Sequence, residues 1–442
     1  MGSVVPAQEF SDRGFKDHEK LVDRILHDRR TQTAEHSSVL DKLPAEIIHE
    51  ILSYLSARDL GRVSASCKVL AEHGSDDRLW ANLVNSHLPT PVLDPGVFPS
   101  FRRLYLAHLP YWFIPQYKIW FADNEHTGNL ILARYDNRRG VIEAFRLLAD
   151  RGNPNFQIWQ SNPDVMIQSF DPKVFLWLDD AVLDLRDLMP KDPTPDWHKW
   201  KIERIMAISG QLDVFSSLLL CEKPETPLLI NQGPVWPPLT IPSEHRIRRA
   251  NSRQKLSNPE NFSQASERAF RIRRWAHFNV MDNELRTTYA TLDPSLYMPT
   301  REKPYQGIWV GDYSAHGCEF LLFIQRGVGG ENPEHQEGDL IHSGSLEAVK
   351  LTGDPNVPRG AISFVAHDIG PGGLIRVDDK EPFENARIVR SLGHVAGIGF
   401  QDDTFITSQL ILISPDTIAH YWEEMGHVSY YRRVDIDALI RI

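Results

Sequence analysis

The sequence predicts an α+β protein in which a short N-terminal three-helix domain precedes a large β-rich domain, a β-barrel in preference to a sandwich. Three observations predict it. Apolar residues recur every three or four positions between Val39 and Leu83, the period of amphipathic helices. From Tyr111 the period drops to two, in short aromatic and β-branched runs separated by Pro, Gly, Asn and Asp, which is the signature of many short strands. With 442 residues, 41% hydrophobic and 24% charged, there is room for one small and one large globular domain.

Composition excludes several classes. The three cysteines, Cys67, Cys221 and Cys318, form no C-x-x-C pair, so neither a disulfide framework nor a cysteine-based zinc site is expected. Residues 1–38 are polar, and no run of about 18 uncharged apolar residues occurs. A soluble intracellular chain in cytoplasm or nucleus follows as the expectation, with no membrane partner. The formal charge of −11 argues against nucleic acid as a partner, because a basic field supplies most of that affinity.

Taken in order, residues 1–38 have too few apolar positions for fixed structure and read as a flexible tail. Residues 39–88 form the helical domain. In its first helix Pro44 suits the first turn, with Asp41 as a capping candidate, and Ile47, Ile48, Ile51, Leu52 and Leu55 make one apolar face. Asp59 can cap a second helix carrying Leu60, Val63, Cys67 and Leu70, and Asp76–Leu83 offers a third with Leu79, Trp80 and Leu83 turned inward. Three short helices make a marginal core, so part of this apolar surface is expected to meet a partner.

Residues 89–110 read as a connecting segment and 111–442 as the β-rich domain. Strand-like runs are Lys118–Phe121, Asn129–Tyr135, Val141–Leu148, Phe156–Trp159, Val165–Phe170, Val174–Leu178, Ile202–Ile208 and Val214–Leu220. Asp136–Gly140 looks like a hairpin loop. Strands resume at Gly307, through Ile308–Val310, Glu319–Ile324, Glu347–Thr352, Ala361–Ala366, Gln409–Ile413 and Thr417–Trp422. Between Glu244 and Arg274 nine Lys/Arg face three Glu, about +6. That stretch, about 240–275, reads as a solvated basic linker, with a nuclear-import or partner-docking strip as the sharper alternative.

Two resemblances attach to these residues. Leu43-Pro44-x-Glu46-Ile47-Ile48-x-x-Ile51-Leu52-Ser53-Tyr54-Leu55, with Asp59-Leu60, Ser64, Cys67-Lys68 and Leu79-Trp80 beyond, resembles the F-box motif, with Leu70 where that family usually has Trp. The resemblance implies docking onto the adaptor Skp1 and, through it, a cullin scaffold in an SCF ubiquitin ligase. It places Leu43, Pro44, Ile47, Ile48, Ile51, Leu52, Leu55 and Leu60 in the Skp1-binding set. A helix pair with surplus apolar side chains is a groove ligand on physical grounds too.

Residues 305–435 are similar to the C-terminal domain of the cyclin-D-binding F-box-only protein family. The carriers are Gly307-Ile-Trp-Val-Gly311-Asp-Tyr313-x-x-His316-Gly317-x-Glu319, then Thr352-Gly353-Asp354-Pro355-Asn356, Gly397-x-Gly399-Phe400 and Leu410–Ile413. The resemblance implies a β-barrel that grips client proteins, often at their C-terminal ends. Trp309, Tyr313, His316, Asp354 and Asn356 are the candidate gripping residues. Gly353–Asn356 is also a turn by composition, since Pro fixes φ and Asp and Asn bond their own backbone.

Catalytic chemistry finds little purchase. Ser314 sits in G-x-x-S-x-x-G instead of a nucleophile elbow. There is no phosphate loop and no H-E-x-x-H helix, and no cofactor or metal is implied. The two resemblances imply instead a non-catalytic substrate receptor that feeds clients to proteasomal degradation. Its rival is a small-ligand-binding or enzymatic barrel, prompted by Gly307-Ile308-Trp309.

Overall fold

The computed structural model describes residues 43–124, 126–186, 203–206, 214–223, 258–259, 264–276, 284–313, 316–327 and 342–441. The expected tail and Asp41 lie outside them. The chain divides into two compact units. One holds Met1–Gln116 with Tyr135–Val141 and Arg186–Met189, and the other holds Tyr117–Arg134, Ile142–Leu185 and Pro190–Ile442.

The helical unit begins with α1 (Ala45–Ser53), α2 (Ala57–Ser64), α3 (Lys68–Gly74) and α4 (Asp77–Asn85). The single second helix expected from Leu60 to Leu70 is two helices, broken between Ala65 and Cys67. The cap also differs. Ser56 is the N-cap of α2, its Oγ accepting from the Asp59 N–H at 3.2 Å and so satisfying one of the donors a helix start leaves open, while its hydroxyl donates to the Asp59 carboxylate at 2.8 Å. Asp76 caps α4 by accepting from the Arg78 N–H. Trp80 Nε1 donates to the Gly74 carbonyl at 2.9 Å and ties α4 to the end of α3.

The segment expected to be a mere connection, 89–110, is part of this unit's core. It carries α5 (Phe101–His108), whose Leu104 and Tyr105 are buried. Tyr105 lies against Trp80 at 5.7 Å between ring centroids and against Trp112 at 6.1 Å. Strand structure starts later than Tyr111, because Phe113–Tyr117 is α6 and the first strand opens at Ile119.

In the second unit, β1 (Ile119–Ala122), β2 (Leu130–Asp136), β3 (Val141–Asp150), β6 (Lys173–Arg186), β7 (Glu203–Met206), β8 (Val214–Glu222), β9 (Ala265–Ala276) and β10 (Glu284–Ala290) form an eight-stranded open sheet, ordered β6-β3-β2-β1-β10-β9-β8-β7. The C-terminal part of the expected linker is thus a strand. Arg268, Ala269, Phe270, Arg271, Ile272 and Arg273 alternate across β9, and Phe270 and Ile272 are buried between β8 and β10. Alternation outweighs charge there, because a strand needs only one apolar face.

The barrel follows. It is built from β11 (Gly307–Asp312), β12 (Cys318–Arg326), β13 (Ser345–Lys350), β14 (Ile362–Ala366), β16 (Arg387–Gly397), β17 (Gln401–Ser414), β18 (Thr417–Trp422) and β19 (His427–Arg433). All neighbours are antiparallel, and the β14–β16 pairing closes the ring at eight strands. The short β15 (Leu374–Val377) pairs with β16 outside that ring. A barrel therefore forms as expected, and among the described residues its closed ring is made of the C-terminal strands.

Side-chain alternation sets two cores. Inward, Trp309, Leu321, Phe323, Leu346, Ala348, Phe364, Leu410, Ile418 and Tyr431 fill the barrel. Outward, Ile308, Val310, Phe320, Leu322 and Val349 pack against Ile119, Phe121, Leu130 and Leu132 of the open sheet and Ile436 and Ile440 of α7 (Ile436–Ile440). A two-stranded hairpin, β4 (Pro154–Ile158) with β5 (Met166–Phe170), covers another outer face through Trp159, Val165 and Ile167. Gly311 is required where it stands, since a Cβ there would come within 2.4 Å of the Tyr431 ring. Among the described residues no helix is long and apolar enough to cross a membrane.

Candidate functional site

At one end of the barrel the filling changes from apolar to charged. Alternation along β13 brings Lys350 inward after Leu346 and Ala348, and its ammonium sits 2.7 Å from Glu319 Oε2 and 2.5 Å from Asp354 Oδ2 with almost no exposure to solvent. The ammonium also lies 4.6 Å from the Tyr313 ring centroid. Tyr313 bonds Ser363 Oγ at 2.5 Å through its hydroxyl.

The two carboxyls have diverged. Burial first, and then the neighbouring Asp354 charge, push the Glu319 carboxyl up to about 8 against the pull of Lys350. Asp354 is held down to about 2: burial opposes its charge, but the Lys350 ammonium and the Val357 N–H outweigh burial. Two like groups beside one cation split in this way because only one of them can be fully compensated. The cluster therefore favours the protonated form of Glu319 and the charged form of Asp354.

Asp354 is also the hinge of a turn. Its Oδ1 accepts from the N–H groups of Asn356 at 2.7 Å and Val357 at 2.6 Å, a side-chain-closed turn of the kind Asp favours. Asn356 Nδ2 donates to the Ala396 carbonyl at 2.7 Å. Gly353 N–H donates to the Thr127 carbonyl at 2.8 Å, and a Cβ on Gly353 would fall 2.2 Å from the His126 carbonyl oxygen, so this close approach of two loops demands glycine. The Arg359 guanidinium donates to the Asn124 carbonyl on the same loop.

Beside this turn lies a cavity of about 500 Å³ lined by Glu319, Thr352, Asp354 and His316 on the barrel side and by Asn129 and Arg146 on the open-sheet side. Arg146 is half-buried and keeps one nitrogen 3.3 Å from Asp180 Oδ2. Arg274 approaches the same carboxylate at 3.8 Å.

Of the gripping residues expected from sequence, His316 and Asp354 line this cavity. Trp309 does not: it is buried in the barrel core, stacked on Phe323 at 4.6 Å with its Nε1 donating to the Tyr305 carbonyl. Tyr313 is an inward-facing support and Asn356 a brace for the turn. Sequence reasoning passed over Lys350, Arg146 and Asn129. Lys350 had a signal, a charge at the inward position of an otherwise apolar alternating strand, whereas Arg146 had none before the sheet was assembled.

The expected Skp1-binding set also separates. Ile47 and Ile51 are 49% and 55% exposed, and Tyr54 beside them is 78% exposed. Leu43 and Pro44 are exposed and Leu55 is half-buried. Ile48, Leu52 and Leu60 instead pack inside the helical unit, Leu52 at 3% exposure.

The fold and site together define a protein with a small helical module and a β-barrel whose charged end opens on a pocket. Residues 40–86 match the F-box-like family and residues 289–438 match the Cyclin D1 binding domain family. The chain thus carries an F-box-like region and a C-terminal region that matches a Cyclin D1 binding domain. Among curated proteins it is similar to Protein EXECUTER 2, chloroplastic, of Arabidopsis thaliana, 29% identical over 121 residues that cover 27% of this chain and 18% of that protein. The Oryza sativa subsp. japonica protein of the same name is 32% identical over 120 residues, covering 26% of this chain and 18% of its own length. Arabidopsis EXECUTER 1 is 25% identical over 151 residues, covering 30% of this chain and 21% of its own length. The chain therefore spans about a fifth of the length of these relatives.

Proposed function

We propose that this chain is the substrate-recognition subunit of an SCF-type ubiquitin ligase, binding Skp1 through the F-box-like helices and a client protein at the charged end of the barrel. The observation that carries it is the pairing of two binding features on one chain. α1 turns Ile47, Ile51 and Tyr54 to solvent, an apolar stripe suited to a partner's groove, and the barrel's charged end meets a polar pocket, half of whose lining lies in the region matched by a Cyclin D1 binding domain. The chain's contribution is proximity. A client held beside a charged conjugating enzyme reacts at high effective concentration, while the ubiquitin chemistry belongs to other subunits. A barrel interior filled by Trp309, Phe323, Phe364 and Tyr431 leaves that core no room for a carried ligand and weighs against the ligand-carrying alternative.

The test is a pull-down with purified Skp1. Ile51→Asp places a charge on the exposed stripe, where it costs little stability but opposes burial in an apolar groove. Skp1 recovery should drop sharply with the melting temperature unchanged. Equal recovery from wild type and variant refutes the assignment.

A further inference from the structure

Three groups at the charged end of the barrel lie close enough to react with one another. Lys350 Nζ stands 2.5 Å from Asp354 Oδ2 and 2.7 Å from Glu319 Oε2, and the Lys350, Glu319 and Asp354 side chains are only 1%, 5% and 7% exposed. The other oxygen of Asp354, Oδ1, accepts from the backbone N–H groups of Asn356 at 2.7 Å and Val357 at 2.6 Å. Two donors aimed at one carboxyl oxygen suit the oxyanion that forms when a nucleophile adds to the carboxyl carbon. Burial raises the Glu319 carboxyl, and its hydrogen bond with Asp354 adds to that rise while lowering Asp354, so the proton sits on Glu319 beside the Asp354 carboxyl. Both carboxyls line the cavity of about 500 Å³, which gives a released water a way out.

We propose that Lys350 and Asp354 condense into an isopeptide bond, with Glu319 as the acid–base group that moves the protons. The inference is independent of the receptor function. The ion pair described above is the state from which the bond forms. Ammonium and carboxylate first exchange a proton within the pair, giving a neutral amine and a carboxylic acid, a redistribution that burial makes less costly than in water. The Nζ lone pair then adds to Asp354 Cγ, forming the N–C bond and placing negative charge on Oδ1, where the Asn356 and Val357 N–H groups meet it. Glu319 passes its proton to the departing Oδ2 hydroxyl and takes one from nitrogen, the Cγ–Oδ2 bond breaks, and water leaves. Ammonium plus carboxylate have become amide plus water, Glu319 ends as it began, and no oxidant or co-reactant is consumed. Condensation is unfavourable between free groups in water, but groups held in contact react at effective concentrations of about 10⁵–10⁸ M. The product also removes two charges from a desolvated site. Pro355 follows Asp354 and has no N–H, so the competing loss of water to a backbone succinimide is closed to this residue.

The experiment is mass spectrometry of the folded 442-residue chain held at neutral pH, intact and after denaturation and digestion with trypsin. Wild type should weigh one water less than its sequence. Trypsin should fail to cut after Lys350, whose amine has become an amide, and should release Gly327–Arg359 as one peptide lighter by that water. Glu319→Gln keeps the shape of the side chain and removes the acid, so this variant, its fold checked by melting temperature, should show its full mass and ready cleavage after Lys350. Full mass and ready cleavage in folded wild type overturn the proposal whatever the variant does. A bond that forms equally in Glu319→Gln overturns the role given to Glu319.

Discussion

Lys350→Met removes the cation at the centre of the barrel's charged end and nearly preserves its volume. Two carboxyls then face each other with nothing between them, since Lys350 stands 2.7 Å from Glu319 and 2.5 Å from Asp354. Removing one partner from a buried ion pair costs about 3–5 kcal/mol because the remaining charge stays desolvated. For a large domain about 2 °C of melting temperature accompanies each kcal/mol, so the second unit should melt about 6–10 °C lower at pH 7. The variant also carries its own pH signature. Without the ammonium the Asp354 carboxyl loses the strongest interaction holding it down, and both carboxyls shift toward the protonated state in the fold. Groups of that kind contribute stability at low pH and lose it as the pH rises through their folded values. The deficit should therefore shrink near pH 4. Adding Glu319→Gln and Asp354→Asn should recover most of the loss at pH 7, because it removes the charge the fold cannot place. Scanning calorimetry of wild type, single and triple variants at pH 4 and pH 7 decides it. A single variant within about 2 °C of wild type at pH 7, or a triple variant no better than the single, refutes the electrostatic account.

Glu319→Gln mimics the protonated acid, so in wild type the stability that Glu319 confers is present below 4.5 and is lost as pH rises toward about 8. The difference amounts to at most on the order of 5 kcal/mol. The variant's melting curve should be flatter over that window, and parallel curves count against a proton on Glu319. His420 sits fully buried between Phe364 at 4.5 Å and Trp422 at 4.3 Å, and burial, then the neighbouring His427, lower it to about 3. Stability it contributes above 6.5 is lost as pH falls toward 3, because the unfolded imidazole charges first. His420→Leu should therefore soften the acid limb of unfolding, and an unchanged limb counts against the assignment. Leu52→Ala should cost about 2–5 kcal/mol of helical-unit stability as a core truncation, read by thermal unfolding. A loss of Skp1 binding at full stability would instead make Leu52 a contact residue.

Local order was legible in the sequence wherever one period dominated. Ile48, Leu52 and Leu60 mark the inner face of the helical unit, and the β1–β3 and β11–β14 runs appear within a few residues of where they form. Those signals survive because burial of one face is decided by spacing along the chain. Which apolar residues of α1 stay exposed was not legible, since Ile47, Ile48, Ile51 and Leu52 share one composition and only packing against α3 and α4 buries two of them. β9 was hidden by its arginines, whose charge resembles a linker until β8 and β10 cover Phe270 and Ile272. The turn Gly353–Asn356 was fixed by its residue types. The pocket beside it was decided by tertiary structure alone: Lys350, Glu319 and Asp354 meet because three chain segments reach one barrel end, and Arg146 joins them from a strand some 200 residues earlier. Charge cancellation depends on distances in space, and those exist only once the sheet and the barrel have closed on each other.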